Sequence, residues 1–265
     1  MIVVYTALFL IHSKANITKC SFLSNTGTYQ FPLDNVFLQG DEYKLVGGAI
    51  AAYQSELWIT VCEFRGNSAE IGGALFIEET TIMIGYTLFE NNFAKAHDNG
   101  QSDLDVTRGV ISAYWNCYVN INYSTFSNNS GLKRLQGVLF SYKSIIFVHE
   151  CLFVDSVGNV FDIVRSNLTD WNSIYKNNNN TTGAVLSARW NSNVTHINCQ
   201  FTSNHAVFKG GVVYADHYCT LVLKFCDVND NTAIYGGAIN VELLRLEVYW
   251  LLLLVTLSQT KQFIQ

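Results

Sequence analysis

The sequence predicts an all-β fold, a right-handed parallel β-helix solenoid of about eight coils with three short strands per coil. Three observations lead there. Two motif blocks recur along the 265 residues. The spacing between them is nearly constant on one side and variable on the other. Within the constant side, apolar residues alternate with period two, the mark of a strand with one buried face.

The first block has the form C-x-F-x-x-N. It opens at Cys20-Ser-Phe22-Leu-Ser-Asn25 and returns at Cys62-Glu-Phe64-Arg-Gly-Asn67. Reduced copies follow at Phe89 with Asn92, Phe126 with Asn129, Phe153 with Ser156 and Tyr175 with Asn178. Cys199 to Asn204, containing Phe201, and Cys226 to Asn231 complete the series. The second block is G-G-[AV]-[ILV], at Gly47-Gly48, Gly72-Gly73, Gly210-Gly211 and Gly236-Gly237. Single-glycine copies lie at Gly109, Gly137 and Gly183, and Asn159 takes the glycine's place once. From the second glycine, or its substitute, to the next Phe position is 16 to 18 residues throughout. From Phe to the next glycine it is 6 to 11 residues, except for gaps of 26 after Phe22 and 20 after Phe89. A unit with one fixed half and one half that accepts insertions suits a solenoid coil. It is too short for a propeller blade.

Each position then has a physical role. Pairs such as Leu57/Ile59, Ile82/Ile84, Val119/Ile121, Ile146/Val148 and Leu221/Leu223 give one strand. Cys and Phe, two apart, give a second. Ile50/Ala52, Leu75/Ile77, Ile111/Ala113 and Phe161/Ile163 give a third, after the glycines. Coils of this kind stack at about 4.8 Å, so like positions superpose. Phe22, Phe64, Phe89, Phe126, Phe153 and Phe201 are expected in one internal aromatic column. Asn25, Asn67, Asn92, Asn129, Asn204 and Asn231 are expected at a corner, where Asn tolerates left-handed backbone and its amide bonds along the stack. The paired glycines suit a second corner needing positive φ or close approach.

The solenoid is expected over residues 1–242, with an apolar tail or cap at 243–265. Ala7-Leu8-Phe9 stands 15 residues before Phe22, as Ala74-Leu75-Phe76 stands 15 before Phe89. That register makes the apolar start an incomplete coil rather than a signal peptide, and the chain a fragment of something longer. The run Val248 to Leu257 is too short to span a bilayer as a helix, so this segment is not expected to anchor in a membrane.

Five cysteines occupy the position two before Phe. Cys20 with Cys62, and Cys199 with Cys226, belong to consecutive coils at a separation a disulfide accepts. They are candidate disulfides; the alternative is a column of buried free thiols. With no C-x-x-C pair, no zinc site or other cofactor is expected. Seven N-x-[ST] sequons start at Asn16, Asn122, Asn128, Asn167, Asn179, Asn180 and Asn193. None falls on an inward column of the expected register, which suits a glycosylated surface.

A formal net charge of -5 provides no basic footprint, so nucleic acid is excluded as a partner. Neither H-E-x-x-H nor G-x-S-x-G is present. Asp155, Asp162, Asp170, Asp216 and Asp227 form no ladder of carboxylates at one register position. The insertions at 26–46 and 93–108 are the better functional candidates, because loops on a rigid scaffold carry binding. The first offers Tyr29, Phe31, Phe37 and Tyr43; the second offers Asp98, Asp103 and Asp105, oxygen ligands of the kind that bind calcium.

The recurring G-G-A-[ILV] and F-x-x-N blocks resemble the repeat of chlamydial polymorphic outer membrane proteins, over residues 6 to 240. Similar repeats occur in β-helix surface proteins of protists and some invertebrates. The resemblance implies a pectate-lyase-like right-handed β-helix, exported and adhesive at a surface, whose partner is an unidentified protein or glycan. The expected function is therefore a non-catalytic secreted or cell-surface interaction module. The rival expectation is a polysaccharide lyase or hydrolase on the same scaffold. No C-terminal barrel of the bacterial family follows here, and no catalytic residue of a pectin-cleaving relative can be placed.

Overall fold

A computed structural model describes residues 7–27, 46–95, 109–131 and 137–242, together with the backbone of 30–31, 44–45, 251–258 and 261–262. The chain winds into a parallel β-helix. One sheet has nine parallel strands, from Leu8–Ile11 and Ile50–Tyr53 at one end to Ile239–Glu242 at the other. A second face begins with Lys14–Thr18, Glu56–Thr60 and Thr81–Gly85. A third is built of three-residue strands such as Glu63–Arg65, Leu88–Glu90 and Thr125–Ser127. Strand Thr220–Asn229 runs unbroken through the second and third faces.

The coil differs from the expectation in one respect. After the Asn, short strands such as Ser68–Ala69, Phe93–Ala94 and Ser130–Gly131 pair from coil to coil and form a fourth rung. Alternation could not reveal two-residue strands. At the start, Leu8–Ile11 pairs in register with Ile50–Tyr53. At the other end, Leu251–Ser258 adds a further parallel rung on Thr220–Asn229.

Register is strict, because a slip of one residue would turn every inward side chain outward. Phe64 pairs with Phe89, Phe89 with Phe126, Phe126 with Phe153, and Phe153 with Tyr175. The rings stack face to face at 4.7 to 5.1 Å between centroids from Phe64 to Tyr175. All are fully buried in one continuous core with Ile59, Leu75, Ile121 and Leu139.

The Asn column forms a side-chain ladder. Asn67 Oδ1 accepts the backbone N–H and the amide of Asn25; Asn92 does the same for Asn67 and Asn129 for Asn92. The left-handed conformation expected of Asn belongs instead to the residue before it: Ser24, Gly66, Asn91, Asn128, Asp155, Asn177, Ser203 and Asp230 all have φ between 52° and 65°. That residue turns the corner, which frees the Asn to point inward and bond. The glycine pair divides its work. Gly72 has φ +66°, while a Cβ on Gly73 would stand 2.5 Å from the Phe93 carbonyl oxygen.

Candidate functional site

Phe31, at the foot of the first insertion, pairs through its backbone with Lys44. Tyr29, Phe37 and Tyr43, and the second-loop carboxylates Asp98, Asp103 and Asp105, lie outside the described residues.

The cysteine column has a structural explanation that neither sequence alternative contained. Cys20, Cys62, Thr87, Ser124, Cys151, Ser173, Cys199 and Cys226 occupy equivalent corners. Four of these side chains accept a backbone N–H from the preceding coil: Cys20 N to Cys62 Sγ at 3.4 Å, Cys62 N to Thr87 Oγ1 at 3.4 Å, Thr87 N to Ser124 Oγ at 3.1 Å and Cys151 N to Ser173 Oγ at 3.2 Å. Thiol and hydroxyl are interchangeable here as short side-chain acceptors. All seven cysteines are free, with no sulfur bonded to another. The sequons are exposed at Asn16, Asn128, Asn167, Asn179 and Asn193 and half-buried at Asn122. Asn180 departs from the expected outward register: it is buried, and its amide donates to the Thr182 carbonyl.

Of the acidic residues singled out in the sequence, Asp162 is fully buried and bidentate to Arg189, at 2.8 and 2.9 Å from Nη2. Asp170 sits inside the core in a column that is otherwise aliphatic. It pairs in register with His196, where other coils carry Ile59, Ile84, Ile121, Val148 and Leu223. Its Oδ1 accepts from Ser173 at 2.6 Å; its Oδ2 accepts from Tyr175 at 2.7 Å, His196 Nδ1 at 2.8 Å and Cys199 at 3.0 Å. Burial works against the charged carboxylate, but the bonds and charge of His196, with those from Cys199 and Ser173, hold it below the usual carboxylate range.

Glu78 is the reverse case. It is 4% exposed on the outward side of the first sheet, and its Oε2 has no hydrogen-bond partner. Burial, and secondarily the charge of Glu79, raise its pKa from 4.5 to about 7. A carboxyl raised on folding stabilises the protein in its protonated form. That contribution is complete below 4.5 and is lost as pH rises through about 7. The loss is roughly 3 kcal/mol, at about 1.4 kcal/mol per pKa unit. Glu78→Gln is expected to abolish this slope, so that thermal melts at about pH 5 and pH 8 differ less than in the wild type. An unchanged slope would assign the effect to another group.

On the outer side of the second face lies a shallow open groove lined by Tyr118, Asn120, Asn122, Phe147, His149, Trp171 and Asn172. All but Asn172, at the corner after the third strand, come from strands Tyr118–Asn122, Ile145–His149 and Asn167–Trp171 of three successive coils. Tyr118 and Phe147 ring centroids are 5.4 Å apart, and Phe147 and Trp171 6.1 Å with planes 6° from parallel. His149 contacts Tyr123 edge-on at 5.4 Å and Asn172 at 3.4 Å. None of the seven side chains is a Lys, Arg, Asp or Glu. Sequence reasoning passed over these residues although a signal existed: Phe147 stands between the inward Ile146 and Val148, an outward aromatic where a solvated sheet face ordinarily carries polar residues.

Stacked corners of this kind define a parallel β-helical solenoid whose features lie on its sides. No protein-family model matches the chain. Over 145 residues it is 26% identical to the metabotropic glutamate receptor-like protein R of Dictyostelium discoideum, an alignment covering 55% of this chain and 8% of that protein. Among solved structures, the plasmid-mediated fluoroquinolone resistance protein QnrB1 is similar over 90% of both chains at 10% identity, with a TM-score of 0.17. Among the described residues no helix is long and apolar enough to cross a membrane.

Proposed function

We propose that this chain is a non-catalytic interaction module of a secreted or cell-surface protein, built on a repeat of the polymorphic outer membrane protein type, and that it binds through the side of its coil. The observation that carries this reading is the uncharged aromatic groove across three coils. Exposed aromatic side chains grouped in one concavity are the usual anchors of recognition, because they bury large area at low entropic cost. The similarity to a stretch of a receptor-like protein supports a place at the cell surface. The sequons exposed along the same coil fit an extracellular setting. Partners are a protein or a glycan of little net charge, since neither the groove nor the acidic chain offers a site for a polyanion.

The test uses the labelled chain on intact Dictyostelium discoideum cells and on immobilised neutral and acidic polysaccharides. Saturable binding is expected. Phe147→Ala with Trp171→Ala should weaken it roughly tenfold or more, the loss that follows from removing an aromatic anchor. Their thermal melt should stay near that of the wild type, because both rings are outward. Binding indifferent to the double substitution would remove the groove from the proposal. Release of reducing ends from any polysaccharide would replace it with the enzymatic alternative.

A further inference from the structure

The cluster around Asp170 is oversubscribed at one atom and undersubscribed at another. Three donors converge within 3.0 Å on Asp170 Oδ2, which has two lone pairs. His196 Nε2, wholly buried, has no hydrogen-bond partner. Above Cys199, on the next coil, Cys226 is also buried, its thiol donating to the His196 carbonyl at 3.5 Å. The carboxylate, imidazole and first thiol ligand atoms all lie within 4.8 Å of one another. Aliphatic residues serve at the Asp170 and His196 positions in neighbouring coils, so the β-helix itself does not call for these two polar groups.

We propose that Asp170 Oδ2, His196 Nδ1 and Cys199 Sγ hold one zinc-class divalent ion in the solenoid core, with the Cys226 thiol of the next coil turning in as the fourth ligand when the ion binds. One oxygen, one nitrogen and two sulfurs are donors that tetrahedral zinc accepts, at about 2.0 to 2.3 Å. Thiolates select against calcium and magnesium. On binding, the Cys199 and Cys226 thiols lose their protons to solvent and bind as thiolates. The imidazole binds neutral, with its proton on Nε2 beside the perpendicular rings of Tyr175 and Phe201, at 5.8 and 5.3 Å. No electron is transferred. Asp170 Oδ2 then bonds the metal and Tyr175 only, which relieves its excess of donors. Tyr175 and Ser173 orient the carboxylate from outside the ligand sphere. The site is sealed, so the ion enters as the coils close during folding.

Zinc itself and cobalt(II) are the probes. The chain produced with zinc under reducing conditions and then dialysed against EDTA is expected to retain one zinc by elemental analysis. Refolding with cobalt(II) is expected to give thiolate charge-transfer and tetrahedral d–d absorption. Asp170→Leu with His196→Leu, made in a Tyr175→Phe background so that no buried hydroxyl loses its acceptor, restores the residue types of the other coils and so keeps the fold testable; it should bind neither ion. A wild-type chain that folds without metal, melts identically with and without zinc and shows no cobalt bands overturns the site. So does a Cys199–Cys226 disulfide in the native protein, or zinc retained by the triple variant.

Discussion

Phe126→Ala is expected to destabilise the chain by about 3–5 kcal/mol, the cost of deleting a fully buried aromatic side chain. The ring lies between Phe89 and Phe153 at 4.7 Å from each, with planes 1° and 11° from parallel. Its removal strips a stacking partner from both neighbours. The cavity cannot collapse, because backbone hydrogen bonds on every face hold the coil spacing. In a solenoid each coil contacts only its neighbours, so a weak coil in the middle should also uncouple the two halves. Urea unfolding should show a lower midpoint and two transitions instead of one. Phe126→Tyr should also destabilise, by about 1–3 kcal/mol for a buried hydroxyl without a partner. Tyr175 tolerates its hydroxyl in the same column only because Asp170 accepts it. A Phe126→Ala chain with the wild-type midpoint would show that the aromatic column is not what holds the coils together.

Asn129→Leu is expected to cost about 3 kcal/mol or more. The Asn129 amide accepts the backbone N–H and side-chain amide of Asn92 at 3.0 and 3.1 Å, and donates to the Phe89 carbonyl at 2.8 Å. Leucine would leave the buried Asn92 backbone N–H without its acceptor, at about 1–3 kcal/mol, and would remove one further bond each from the Phe89 carbonyl and from the Asn92 amide, which keeps its bond to the Phe64 carbonyl, at about 1 kcal/mol apiece. Its similar size makes the experiment one about hydrogen bonds rather than volume. The column carries a natural interruption at Ser156, whose hydroxyl bonds back to Val154 at 3.4 Å. Ser156→Asn would extend the amide ladder and is expected to gain about 1 kcal/mol. Urea midpoints of both variants check the pair; an Asn129→Leu loss below about 1 kcal/mol would contradict the ladder's energetic role.

The architecture was legible in the sequence because a solenoid repeats its chemistry at nearly constant intervals. Phe64, Phe89 and Phe126 announce one column, and the glycine pairs announce a corner. Glycine signals where backbone must pass close to backbone, as at Gly73. The corner before the Asn was misassigned because Ser, Gly, Asn and Asp all serve there, and a position filled by four residue types shows no motif. The groove was hidden for a different reason. Tyr118, Phe147 and Trp171 are far apart in sequence and occupy three different positions along their strands, so no fixed spacing joins them. The cluster around Asp170 was hidden on the same ground: Asp170 and Cys199 lie 29 residues apart in the chain, yet stacking brings Asp170, His196 and Cys199 within 4.8 Å of one another.

By itself the sequence determined that this chain winds into stacked coils, which positions face inward, and where insertions are tolerated. Those are properties of local pattern, since strand alternation and corner chemistry act over a few residues. Only the tertiary structure decided which side chains meet. Whether a thiol is a corner acceptor, an Asp a buried partner of His, or a Phe one wall of a groove depends on what the neighbouring coil places a single strand spacing away. Neighbours on that axis are about a full turn of chain apart.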